Sequence, residues 1–247
     1  MNILDYPFIK PLNESLSFRE YDSTIAYTLK NIRLGINILT YKPTMIKNNS
    51  KEYFLSFNSI PEGKYLLTVW GNVTEENFPF GYLHPKEQES EDVYIVSDTL
   101  VFSNLSQQKT LNIERLKGLL YTEFHNLPSY ITNVDMEVSS VYEKSNSVND
   151  YSGISKVKKR FIIQDSTYSS FKTYVSPSLL GIASKINISF LKADKEFVSF
   201  KNIPINIKRN YISNINFIYN PESKKIELWI WVKDQWELIH NLEIIEN

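Results

Sequence analysis

Three tryptophans toward the C-terminal end, Trp229, Trp231 and Trp236, come closest in type and spacing to a binding chemistry. In Glu227-Leu228-Trp229-Ile230-Trp231-Val232-Lys233, a two-residue period sends Leu228, Ile230 and Val232 to one face and Trp229 and Trp231 to the other. Indoles on a polar-flanked face stack on sugar rings or bind a protein partner. If the strand is central and covered on both sides, the same indoles instead close the end of a core, and both readings stay open. Just downstream, Leu238, His240, Leu242 and Ile244 alternate with Glu237, Ile239, Asn241 and Glu243, so Trp236 to Ile245 reads as a strand. Such a strand either completes its own sheet or adds to the sheet of another protein.

Catalytic chemistry has little to work with. His84, His125 and His240 lie far apart without metal-ligand spacing and read as ordinary, partly exposed histidines. The sequence holds no H-E-x-x-H, G-x-S-x-G or G-x-G-x-x-G pattern and no P-loop, and seven glycines leave little backbone to cradle a phosphate. Zero cysteines exclude disulfides, thiolate metal sites and cysteine nucleophiles. No catalytic residue, metal ligand or cofactor is therefore assigned, and the chain reads as non-enzymatic. Glu87, Glu89, Glu91 and Asp92 offer carboxylates to a calcium ion, but without the Asp/Asn-Gly loop that makes such a site specific they read as a solvated acidic loop. Lys156, Lys158, Lys159 and Arg160 read as charges guarding a sheet edge.

The elements that must position these residues are strands. The chain of 247 residues is 42% hydrophobic, with 3 Ala against 28 Ile and with 16 Tyr and 14 Phe, a mixture poor in the best helix former and rich in strand formers. Alternation predicts a strand over Ile32 to Ile38, a hairpin of Tyr53 to Phe57 with Tyr65 to Trp70, and short strands from Leu116 onward that include Ile226 to Val232. Ser145 to Gly153 reads as a loop. Ser103 to Lys109 is the most polar connector near the middle, which predicts domains at 1–108 and 109–247. The fold class is all-β, antiparallel β-sandwich. A formal net charge of −1 disfavours nucleic acid as a partner. Met1 to Glu20 has no signal-peptide pattern, and no apolar run is long enough for a membrane helix.

Three stretches together resemble the fimbrial anchor proteins of the FimB type, surface lipoproteins of Bacteroidetes related to the fimbrillins. They are Ile60 to Gly71, a Pro-Gly turn and a strand ending in Trp70-Gly71; Leu119 to Phe124, followed by Leu127-Pro128-Ser129; and Ile203 to Tyr211, a Pro-Ile strand before Arg209-Asn210. The resemblance runs from about Ile32 to Val232. It implies two transthyretin-like or immunoglobulin-like sandwich domains in tandem and a place at the base of a pilus. It also implies a fimbrial subunit as partner and an outer-membrane location through a lipidated cysteine that lies outside this sequence. The expected task is docking that subunit by strand addition through Trp236, Leu238, His240, Leu242 and Ile244. The alternative is a carbohydrate-binding sandwich that stacks sugars on Trp229 and Trp231.

Overall fold

A computed structural model describes residues 23–46, 53–103, 108–147, 149–232 and 235–243. β1 (Ser23–Asn31), β2 (Ile36–Ile46), β3 (Gly63–Gly71), β4 (Tyr94–Phe102) and β5 (Glu114–Arg115) form one antiparallel sheet in the order β2-β1-β3-β4-β5. Ile25, Leu29, Tyr65, Leu67 and Val69 point to one face, where Leu55, Phe57, Ile60, Leu111 and Ile113 cover them. Ala26, Trp70 and Ile95 point to the other, under Val73, Phe78, Leu83, Val93 and Leu116. Loops therefore do the covering on both faces. Among the described residues the only further strands that reach this sheet are those of a small two-stranded hairpin, so a full second sheet for the first domain is not seen.

Two predicted strands resolve differently. Ile32 to Gly35 is the turn of the β1–β2 hairpin, with Gly35 at φ 71°, so the alternating run marks a hairpin tip whose Ile32, Leu34 and Ile36 are exposed. Tyr53 to Phe57 is not a strand. The predicted hairpin does not form because β1 and β4 take both sides of β3.

The rest of the chain builds two sheets on one core. β7 (Ile131–Val141), β10 (Ser155–Ile162), β12 (Ser184–Lys192) and β13 (Lys195–Ile205) run in the order β10-β7-β12-β13. β6 (Gly118–His125), β11 (Tyr168–Val175), β14 (Ile212–Asn220), β15 (Lys225–Val232) and β16 (Gln235–Glu243) run in the order β11-β6-β14-β15-β16. β14 pairs parallel with β6, so this sheet is mixed rather than purely antiparallel. Leu120, Phe124, Phe217 and Leu228 from one sheet and Val134, Ile188, Phe190 and Phe200 from the other belong to a single buried cluster. Phe124 is its hub, with ring centroids 5.3 Å from Phe217, 5.9 Å from Phe190 and 6.0 Å from both Phe161 and Phe171. Each such ring pair adds about 0.5–1.5 kcal/mol beyond its area burial.

The predicted loop at Ser145 to Gly153 contains a small hairpin, β8 (Lys144–Ser147) with β9 (Asp150–Ser152). It reaches the first sheet's covering loop: the Ser145 N–H donates to the Gly81 carbonyl at 2.9 Å, and Tyr151 packs on the cluster around Trp70. A Cβ on Gly81 would lie 2.1 Å from the Ser145 carbonyl oxygen, so this approach requires glycine. Among the described residues no helix is long and apolar enough to cross a membrane.

Candidate functional site

β16 is the outermost strand of its sheet, and among the described residues nothing pairs with its outer side. Eight register pairs tie its inner side to β15. The pairing slips once: Trp231 is opposite Trp236 and Trp229 opposite Leu238, but Leu228 is opposite His240, which leaves Ile239 as the extra residue of a bulge. The slip corrects the simple alternation read from the sequence. Trp236 and Leu238 share the outer face with Trp229 and Trp231, whereas His240, opposite the buried Leu228, lies on the other face, exposed at the sheet edge with its ring 5.8 Å from Phe200. Leu242 lies opposite Ile226 in the register, and Ile244 falls outside the described residues. Of the predicted docking set, Trp236 and Leu238 thus share one face and His240 does not.

The tryptophans form an edge patch rather than an open platform. Trp231 and Trp236 meet edge to face, with centroids 5.4 Å apart at 74°. Trp229 is half-buried, and its Nε1 donates to Glu227 Oε2 at 3.1 Å. Leu228 and Ile230 are buried beneath them, as their alternation predicts. Beside the indoles, Leu238 and Ile239 stay 45% and 40% exposed, which gives the edge strand an apolar rim.

The acidic and basic runs meet each other. Gln88 forms a bridge with Lys158 on β10. Around it Glu87 pairs with Lys158 at 3.0 Å and with Lys156 at 3.7 Å, and Glu89 pairs with Lys159 at 2.5 Å. The acidic loop is therefore not simply solvated. It covers the edge that the lysines were expected to guard alone. Lys158 holds the Glu87 carboxyl below its ordinary range through a hydrogen bond, with Lys156 adding to the effect.

Behind this seam lies a buried polar network. Asp92 accepts from Arg115 Nε at 2.8 Å on both oxygens and from the Tyr94 hydroxyl at 2.8 Å. Arg115 Nη1 reaches Asn210 Oδ1 at 3.1 Å, joining the first sheet to the β13–β14 connection. Lys117 is fully buried and donates to Ser90 Oγ at 2.8 Å and to the Ser90 carbonyl at 3.1 Å. His84 is 3% exposed, which corrects its reading as a partly exposed loop histidine. Residue types alone gave no signal for this network, because its partners are separated by up to 95 positions. Among the described residues no three His, Cys, Asp or Glu side chains are grouped to hold a metal ion.

No protein-family model matches the sequence, and no curated protein matches it. Solved structures do. A candidate adhesin from Bacteroides thetaiotaomicron aligns over 91% of this chain and 92% of its own, with a TM-score of 0.53 at 10% identity. Another, from Bacteroides ovatus, aligns over 91% and 90%, with a TM-score of 0.50 at 8% identity. The chain shares its fold with these Bacteroides proteins. The fimbrial anchor protein Mfa2 from Porphyromonas gingivalis is also among the structural neighbours, over 90% of this chain and 92% of its own, at a TM-score of 0.45 and 11% identity.

Proposed function

We propose that the protein is a non-enzymatic, cell-surface component of a fimbrium that docks another subunit by strand addition at β16. The observation that carries this reading is the open edge of β16, rimmed by Leu238 and Ile239 beside the Trp231–Trp236 pair. An added strand would hydrogen-bond along that edge and set alternate side chains against the indoles. The fold's likeness to candidate adhesins supports a surface location. Attachment to the outer membrane through a lipid outside this sequence belongs to the same proposal.

The packing also supports two units. Leu111, Ile113 and Leu116 pack on the first sheet, which argues for a division just after Leu116 rather than at residue 108.

Docking is tested by replacing Leu238 and Ile239 with lysine and isolating the protein from native cells. Loss of the co-purifying fimbrial subunit with an unchanged melting transition is expected. Unchanged co-purification overturns the strand-addition reading. Anchoring is tested separately by mass spectrometry of the mature N-terminal peptide in the outer-membrane fraction, where an acylated cysteine is expected and an unmodified terminus in the cytosol overturns it.

A further inference from the structure

The seam between the first sheet and the two-sheet core holds two ionisable side chains that are buried without an opposite charge bonded to them. Lys117 spends its bonds on one residue, Ser90. His84 Nε2 accepts the Ser176 N–H at 2.9 Å and lies 3.1 Å from Ser176 Oγ, which itself donates to the Tyr142 carbonyl. With Nε2 accepting, the ring proton sits on Nδ1, which is buried and has no well-formed hydrogen bond, only a weak pull from the Gln88 backbone. His84 is therefore seated neutral, and Lys117 is fully buried with no carboxylate bonded to its amine.

The same loop makes the backbone contacts that close the seam. Leu83 N–H donates to the Glu143 carbonyl at 2.8 Å and Ser145 N–H to the Gly81 carbonyl at 2.9 Å. Tyr174 N–H donates to Glu89 Oε1 at 2.7 Å. His84 lies within this set of contacts, and Lys117 fixes Ser90 at its C-terminal side.

We propose that the loop from Gly81 to Asp92 is an acid-sensitive latch between the first sheet and the two-sheet core, released when His84 and Lys117 take up protons on exposure to water. The proposal rests on these contacts and is independent of strand addition at β16.

The charged groups facing the latch do not cancel the effect. Asp92 is bonded to Arg115, Glu89 to Lys159, and Glu87 to Lys156 and Lys158. Glu89, Glu91 and Asp92 attract the Lys117 ammonium, yet burial outweighs them and brings its pKa down to about 7. Burial, then the charge of Lys117, holds His84 well below the usual imidazole value, against a smaller opposing pull from the Gln88 carbonyl.

The sign follows from proton counting. With the latch open, Lys117 binds its proton up to about pH 10.4, but with it closed only below about 7, so between these values the open form holds more protons. Each unit of pH lost in that window multiplies the opening constant by up to about ten. Below about 7 lysine adds nothing more. Histidine then acts, since the open form binds its proton from about pH 6.5 downward while the closed form does not.

Amide hydrogen exchange of the whole chain, corrected for intrinsic rate, tests this from about pH 9 to about pH 5.5. Protection of Leu83, Ser145, Tyr174 and Ser176 is expected to fall by up to about tenfold per unit from pH 9 to 7 and again below 6.5, while β7 and β12 amides hold steady. Lys117→Met should flatten the upper window, and His84→Gln, which keeps an acceptor but not the titration, the lower one. Constant protection of the four amides overturns the latch, as does a parallel loss in β7 and β12. So does an unchanged slope in Lys117→Met. If either variant fails to fold, the wild-type profile alone decides.

Discussion

Arg115 Nε lies 2.8 Å from both carboxylate oxygens of Asp92, and the two side chains are 2% and 0% exposed. Attraction at that depth offsets a large desolvation cost, so removing one partner leaves a bare charge in the core. Asp92→Ala is expected to cost about 3–5 kcal/mol in urea unfolding. Adding Arg115→Met to that variant should recover much of the loss, because the orphaned charge goes with it. A double variant no more stable than Asp92→Ala would mean that packing, and not charge, sets the cost.

Two glycines with similar backbone angles separate strain from crowding. Gly81 has φ 69° and Gly181 φ 74°. A Cβ at Gly181 meets nothing within 4 Å, whereas at Gly81 it meets the Ser145 carbonyl oxygen at 2.1 Å. Gly181→Ala is expected to cost about 1–2 kcal/mol, the left-handed backbone penalty alone. Gly81→Ala should cost clearly more and reduce protection of the Ser145 amide. Equal losses in thermal unfolding would place Ser145 further from Gly81 than the fold has it.

Much of the fold was legible where a residue's surroundings are set by its own strand. Alternation predicts strands over Tyr65 to Trp70 and Ile226 to Val232, and these form the bodies of β3 and β15. Leu228 and Ile230 point inward as that period requires. Alternation failed at Ile32 to Ile38, where a glycine turn interrupts it, and at Ile239, where a bulge shifts the register without altering residue types. The polar network was out of reach for another reason. Nothing local distinguishes Lys117 or His84 from a surface residue, since burial is imposed by loops and strands up to 92 positions away.

The two glutamates at the β10 seam should respond differently to removal. Glu87 is 48% exposed, and its lysine partners are 34% and 48% exposed, so solvent and salt screen the pairs. Glu87→Ala is expected to change stability by less than about 1 kcal/mol. Glu89 is 24% exposed, is paired with Lys159 and also accepts the Tyr174 N–H. Its loss strips a charge-assisted bond from a backbone amide, and Glu89→Ala should cost about 1.5–3 kcal/mol. Urea unfolding at low and high salt checks both, and matched losses for the two variants would contradict the geometry.

The indole pair at the edge divides stability from docking. Trp231 and Trp236 are directly opposite in the register, so their contact holds β16 onto β15 as well as shaping the outer face. A double-mutant cycle of Trp231→Ala and Trp236→Ala is expected to give a coupling of about 0.5–1.5 kcal/mol, the range for an edge-to-face pair. Leu238→Lys should behave otherwise. Its side chain is 45% exposed and gives up little burial, while a lysine on an open edge opposes strand pairing. Unfolding free energy near that of the wild type, together with a weakened association with the partner subunit, is the expected result. A Leu238→Lys variant that loses stability as Trp236→Ala does would instead tie Leu238 to the protein's own packing and leave the edge without its proposed contact.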